Sequence, residues 1–433
     1  MITAGKPYKR TSDNLWVVPI YLPPGGDGKR TRKTVARKNR NLAIKAAQLR
    51  VRELQDISVT VDPKMTLTKW LDHWTEKIIP TRGLRPNTVG IYEQMIRNQI
   101  KPTIGGYKLI KLGPTQVREM HAKLLDQGLS LSTAKLAHTV LQVALDDAEK
   151  DEILARNPAK IVGKPKGDTE SRGSLTIEQA HHMIETAVTV GDPMAARWAL
   201  ALITGARQGE CIGLEWNRVD FDNNEIDLSW AMSSIGEVHG CLTTAAGLPS
   251  CGAPIDRPSA CDQRRPNITR GFKCKHLRGP LVLAAPKTES SRRIITMLGP
   301  IREALLHQYD NRIDNEFGLV WVGPRKRLPV SPEVDRTNWK NALKRAGLPD
   351  LPLHSARHTA ATLMQSMGVP DPVRMEIMGH NSEAMAKNYA HGRNIQLTGD
   401  AINNLGKAVL GTAFSRAKHP ALITPEIADG IAS

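Results

Sequence analysis

The sequence predicts an α+β chain, mainly helical with small β-sheets, in three folding units. Three observations carry this expectation. A dense turn, Pro23-Pro24-Gly25-Gly26-Asp27-Gly28, separates two strand-like stretches that lead into a helical repeat. Between residues 64 and 160, apolar residues recur at helical spacing in four successive runs. Beyond residue 174, helical patterns alternate with a few short apolar strands.

The elements follow in chain order. Leu15, Val17, Ile20 and Leu22 mark a first strand, and Lys29–Val35 a second. Ala43, Ala46, Ala47, Val51 and Leu54 then line one side of a helix from Arg40 to Leu54. A linker, Val59–Lys64, precedes Leu67, Trp70, Leu71, Trp74 and Ile78, which share a helix face. At that spacing the two tryptophans are expected in a core rather than stacked on bases. Pro86 opens a second helix with Val89, Tyr92 and Ile96, and Pro114 a third with Val117, Met120 and Leu124. A fourth runs from Ser132 to Lys150, making a bundle. Residues 161–174 form a basic, Pro/Gly-containing linker. The last and largest unit includes strands at Glu225–Trp230, Leu281–Ala285 and Arg292–Met297. From Gly411 the pattern is irregular.

Charge narrows the class of partner. The 433 residues hold 60 Lys and Arg against 43 Asp and Glu, a net +17. Residues 1–52 alone carry 13 basic residues and two acids, Asp13 and Asp27. That asymmetry predicts a polyanionic partner for the first unit. Its second strand offers Arg30, Arg32 and Lys33, with Arg37 and Lys38 just beyond, and these are the candidate DNA contacts. No run of 18 apolar residues and no apolar N-terminal stretch occurs, so a cytoplasmic location without membrane association is expected. Five cysteines do not suggest a disulfide framework in a reducing compartment.

Four separated segments carry the candidate chemistry. Thr204-Gly205-Ala206-Arg207-Gln208-Gly209-Glu210 breaks one helix and starts another, with Arg207 beside free N–H groups. Pro286-Lys287-Thr288-Glu289-Ser290-Ser291-Arg292-Arg293 reads as a turn between two strands, with Lys287 at its edge. Leu353-His354-Ser355-Ala356-Arg357-His358-Thr359 places His354 and Arg357 three apart on one helix face. Met378-Gly379-His380 precedes a helix-start signal, Asn381-Ser382-Glu383, and then Tyr389. Each segment alone is commonplace.

Together they resemble the catalytic domain of the tyrosine recombinase, or phage integrase, family. That pattern is an Arg in Thr-Gly-x-Arg-x-x-Glu, a hairpin Lys, His-x-x-Arg, Gly-His, and a Tyr nine residues after that His. Arg207, Lys287, His354 with Arg357, Gly379-His380 and Tyr389 match it in order. Ser355-Ala356 departs from the usual Asp-Leu, which implies altered packing rather than lost chemistry. The resemblance implies an arm-type DNA-binding domain over 1–58 and a core-site-binding, SAM-like domain over 64–160. It further implies a linker over 161–174, a catalytic domain over 175–410 and a tail over 411–433.

The resemblance also implies a mechanism. Arg207 and Arg357 would clamp the scissile phosphate and His380 would add a hydrogen bond to it. Tyr389 would be the nucleophile, His354 the proton acceptor and Lys287 the general acid for the departing 5′-hydroxyl. Glu210 would orient a neighbouring basic group. No ATP or catalytic metal is called for, and neither a Gly-rich Lys-Ser/Thr loop nor a carboxylate cluster is found. Expected partners are core- and arm-type DNA sites and a homotetramer, with a host DNA-bending protein and an excision directionality factor as further candidates. The helix near Gln396–Leu410 would dock on a neighbouring subunit. Rival readings are a Xer-like or conjugative-element recombinase, a type IB topoisomerase, or a non-catalytic DNA-binding regulator.

One stretch is not absorbed by this pattern. Residues 236–280 are longer than such a connection needs, and they contain Cys241, Cys251, Cys261 and Cys274, with His239 and His276 nearby. Having little apolar material, this insertion could be held by a structural zinc on the four cysteines. Cys211 is expected as buried packing.

Overall fold

The computed structural model describes residues 3–24, 30–56, 64–167, 173–245, 247–255, 257–286, 292–379 and 395–416. The chain divides into two compact units, residues 1–84 with 88–169 and residues 85–87 with 170–433. The architecture is mixed, with a β/α region at the N-terminus and a largely helical region carrying the candidate site. No helix among the described residues is long and apolar enough to cross a membrane.

At the N-terminus, β3 (Trp16–Pro24) pairs antiparallel with β4 (Arg30–Arg37), and two short strands, β1 (Thr3–Ala4) and β2 (Tyr8–Lys9), add to β3. Helix α1 (Arg40–Asp56) follows, and Val18, Ile20, Ala43 and Ala47 form the small core between helix and sheet. Strand alternation divides the candidate DNA contacts between the two faces of the sheet. Arg32 pairs with Tyr21 and Lys33 with Ile20, so these two side chains leave opposite faces of the sheet. Lys33 and Arg37 therefore share the α1 face with Ile20 and Trp16, whereas Arg32 stands beside exposed Tyr21.

The helical part of the first unit comprises α2 (Leu67–His73), α3 (Pro86–Met95), α4 (Lys101–Ile104), α5 (Pro114–Asp126), α6 (Leu131–Lys150) and α7 (Pro158–Val162). Trp70 and Trp74 are fully buried, as their spacing predicts. Their indole N–H groups find buried acceptors, Trp70 on the Ala144 carbonyl at 3.0 Å and Trp74 on Asp147 Oδ2 at 2.6 Å. Arg82 pairs with the same carboxylate, so Asp147 is buried without an unmet charge. Ser130 caps α6 through Thr133 N–H at 3.2 Å.

The second unit is built on a helical core. Helices α8 (Ile177–Thr189), α10 (Gln208–Ile212), α11 (Pro300–Asp310), α12 (Pro332–Arg345), α13 (His354–Ser366) and α14 (Asp371–Met378) contribute to one core with α9 (Ala195–Thr204). Every residue of α9 is buried. Two three-stranded sheets flank this core. One orders β12 (Ile294–Thr296), β6 (Glu225–Asp227) and β5 (Val219–Asp220); the other orders β10 (Cys274–Arg278), β11 (Leu281–Ala284) and β7 (Ala231–Ser234). A further pair, β8 (Glu237–Val238) with β9 (Arg265–Pro266), lies in the insertion.

Three sequence expectations need revision here. The strands on either side of the Lys287 segment do not pair with each other, because β11 pairs with β7 and β12 with β6; Lys287 itself lies outside the described residues. Both strands run antiparallel to the 225–234 stretch. Cys274 belongs to β10, opposite Ala284 in the sheet, and not to the loop that carries the other three cysteines. Finally, α15 (Ile395–Leu410) packs on its own unit. Ile402, Leu405, Val409 and Leu410 are fully buried in the core around α9, so this helix docks in cis.

Burial also sets a pH dependence. His121 on α5 and His138 on α6 meet at 3.0 Å inside the helical region. Burial, then the neighbouring His121, pushes His138 down to about 4. The folded unit therefore keeps this imidazole neutral where the unfolded chain would protonate it. Its stabilising effect is complete above about pH 6.5 and is lost as pH falls towards 4. We expect about 1–2 kcal/mol less stability at pH 5 than at pH 7, with the difference reduced in His138→Leu. Pulse proteolysis of α5 and α6 across a urea series at each pH checks it.

Candidate active site

The site forms where two helices end. Helix α9 stops at Thr204-Gly205 and α14 at Met378-Gly379, and each end leaves carbonyls without intrahelical donors. Three guanidiniums satisfy them. Arg357 donates to Gly205 O at 2.5 Å and to Met378 O at 2.6 Å. Arg293 donates to Thr204 O at 2.6 Å and from Nε to Ile377 O at 2.8 Å. Arg207 reaches Gly379 O at 3.2 Å. Cations at the negative ends of helices are also where the peptide dipoles favour them.

One carboxylate balances the cluster. Glu210 accepts from Arg207 N–H at 2.8 Å, from Arg207 Nη1 at 2.7 Å and from Arg293 Nη1 at 2.6 Å. Burial alone would raise its pKa, but Arg293 and Arg207 outweigh that and hold it below the usual carboxylate value. The sequence expectation that Glu210 orients a basic group fits this geometry, and the group it holds includes Arg293. Arg357, buried beside two other guanidiniums, is lowered to about 10, first by burial and then by Arg207 and Arg293. It stays charged at neutral pH. Arg207 remains half exposed, with 52% of its side chain open to solvent, so it can meet an anion that the other two cannot reach as freely.

Arg357 and Arg207 bind the carbonyls of consecutive residues, Met378 and Gly379. Their proximity is thereby fixed by one peptide unit. Gly379 is required there: its φ is +65°, and a Cβ would lie 3.0 Å from Arg293 Cδ. His354 opens α13, the helix that carries Arg357, but is exposed, its ring edge-on to His358 at 4.9 Å. Ser355 and Ala356 point into the core, where the hydroxyl of Ser355 has no hydrogen-bond partner among the described residues. Lys287, His380 and Tyr389 lie outside the described residues.

Arg293 is the site residue that sequence reasoning passed over. Its signal was the pair Arg292-Arg293 next to a strand, since adjacent strand residues face opposite ways and one of them must turn inwards. Cys211 is fully buried, with its thiol pushed up to about 11 by burial, as packing rather than chemistry requires. Away from this site, His239, Cys241, Cys251 and Cys261 bring their ligand atoms within 4.8 Å of one another. Cys274 is not among them. The fourth member is a histidine, because β10 commits Cys274 to the sheet.

Residues 273–394 match the family model of the phage integrase family, and residues 66–125 match that of the phage integrase N-terminal SAM-like domain. Over these stretches the chain is similar to the phage integrase family, and its function is that of a tyrosine-type recombinase. It is 28% identical to an integrase of Saccharopolyspora erythraea over 406 residues, spanning 88% of this chain and 91% of that one. A XerC-like tyrosine recombinase of Caldanaerobacter subterraneus is 26% identical, over 76% of this chain and 79% of its own. In fold, this recombinase is similar to the Tn1549 transposon integrase solved with a circular-intermediate DNA. The TM-score is 0.56 at 20% identity, covering 79% of this chain and 99% of that one.

Removing the carboxylate of this recombinase should be costly. In Glu210→Ala, Arg293 would be left buried with only carbonyl partners, and a loss of about 3–5 kcal/mol is expected. Chemical denaturation of the variant measures it, and Glu210→Gln should recover part of the loss.

Proposed function

We propose that this recombinase cuts and rejoins DNA at specific sites through a 3′-phosphotyrosyl bond formed by Tyr389, integrating a mobile genome and, with a partner factor, excising it. The observation that carries the reading is the pair Arg207 and Arg357, held by the carbonyls of Met378 and Gly379 immediately before His380. Two permanent cations at this spacing suit the non-bridging oxygens of a phosphodiester, whose negative charge grows in the transition state. Arg293 acts through Glu210 and keeps the clamp rigid.

In this mechanism Tyr389 attacks phosphorus and releases a 5′-hydroxyl. His354 takes the tyrosine proton, Lys287 supplies one to the leaving oxygen, and His380 bonds the phosphate. The phosphodiester energy is kept in the protein–DNA bond, so rejoining needs no nucleotide. Residues 1–58 bind arm-type DNA through Arg30, Arg32, Lys33, Arg37 and Lys38, and residues 64–160 bind the core site. Arg32 and Lys33 leave opposite faces of their sheet, so only one of them can enter a given groove while the other serves the backbone. The working assembly is a tetramer on two duplexes, with a DNA-bending protein and a directionality factor as accessory partners.

Covalent trapping tests the chemistry. A nicked substrate taken from DNA flanking the gene should give a protein–DNA adduct on a denaturing gel. Tyr389→Phe should abolish the adduct while leaving DNA binding intact. Arg207→Ala should reduce its rate by about 100-fold or more, the size expected for one lost donor to a developing anion. An adduct that persists in Tyr389→Phe would assign the nucleophile elsewhere.

A further inference from the structure

The insertion between β8 and β10 has almost nothing to hold it folded. Of its described residues from 236 to 273, Cys261 alone is buried, while Leu242, Leu248, Ile255 and Ile268 are exposed. Its regular structure amounts to the two-residue β8–β9 pair, an isolated bridge between Thr243 and Pro249, and one short 3₁₀ turn at Pro258–Ala260. A segment with so little apolar burial needs another source of order.

Its polar side chains supply one. His239 and Cys241 leave the end of β8, Cys251 sits in the following turn, and Cys261 ends the 3₁₀ turn ahead of β9. The four ligand atoms lie within 4.8 Å of one another. A tetrahedral zinc with sulfur ligands at its usual bond length needs them about 3.8 Å apart. His239 Nε2 donates to Pro254 O at 3.0 Å, which leaves the Nδ1 lone pair facing Cys251 Sγ at 3.5 Å. Gly240, between two of the ligands, passes so close to Gln263 that a Cβ would lie 1.9 Å from its carbonyl oxygen. Only glycine lets the two strands of the loop converge on the cluster.

We propose that His239, Cys241, Cys251 and Cys261 bind one zinc ion, and that this ion holds the insertion in place of a hydrophobic core. Three thiolates and an imidazole select zinc over magnesium or calcium. The metal is structural, since all four protein ligands close its shell. Binding displaces the thiol protons, so affinity falls as pH drops. The core around α9 has none of these residues, so loss of metal should release the insertion and leave the helical unit folded.

The test is metal analysis of the full chain purified under reducing conditions. One zinc per chain is expected, falling to none in Cys251→Ser and His239→Ala and unchanged in Cys274→Ser. Cobalt(II) added to the stripped protein should give the visible bands of a tetrahedral thiolate site, absent in Cys251→Ser. Cys251 is exposed, so its substitution does not threaten the fold. Chelation should open residues 240–264 to protease while α9 and α13 stay protected. Absence of stoichiometric zinc, zinc retained in Cys251→Ser, zinc lost in Cys274→Ser, or a disulfide among Cys241, Cys251 and Cys261 would each overturn the proposal.

Discussion

Two guanidiniums, Arg207 and Arg293, share one carboxylate beside a third, Arg357, and the site is organised around the shortage of negative charge that results. Arg207 and Arg293 divide Glu210 between them, while Arg357 has, among the described residues, the Gly205 and Met378 carbonyls as its acceptors. A buried cation without a partner would be prohibitive. The ends of α9 and α14 solve the problem by supplying helix-terminal carbonyls, each with an unmet lone pair and the negative end of a peptide dipole. The arrangement leaves the cluster with surplus positive charge at the half-exposed Arg207. A bound phosphate would relieve that surplus, which is why the same geometry that folds the site also favours an anionic substrate.

This arrangement depends on a rigid frame. Arg197 in α9 makes a two-pronged pair with Asp335 in α12, both bonds at 2.8 Å and both side chains excluded from solvent. Gln208 in α10 donates to the same carboxylate at 3.0 Å. Three helices are thus tied at one buried point directly beneath the turn that presents Arg207. Thr359 accepts from Leu175 N–H at 3.0 Å, fixing α13, and with it Arg357, to the start of the unit. Small errors in any of these helices would move a guanidinium relative to the phosphate, and catalysis by positioned charge tolerates little movement.

The insertion follows a different logic from the unit that carries it. Its residues are hydrophilic and loop-forming, and order there comes from four side chains and close backbone packing rather than from apolar burial. None of the cluster's four residues belongs to the hydrophobic core around α9, so the module's order does not depend on that core.

Much of this protein was legible in its sequence. Periodicity located Trp70 and Trp74 in a core, turn residues located β3, β4 and α1, and the Thr-Gly break located Arg207 at a helix start. These are local properties, fixed by the side-chain period of a helix or strand and by what glycine and proline do to a backbone. The order of Arg207, His354, Arg357 and Tyr389 along the chain was likewise enough to indicate the reaction class. What tertiary structure decided were the pairings across long separations. Arg293 meets Glu210 across 83 residues, and β11 and β12 pair with different strands instead of each other. His239 displaces Cys274 from the metal cluster because the sheet claims Cys274 first. The final helix turns onto its own core because its apolar face finds α9 and α11 there. Sequence spacing cannot report such choices, since they are competitions between distant groups that exist only once the chain has folded.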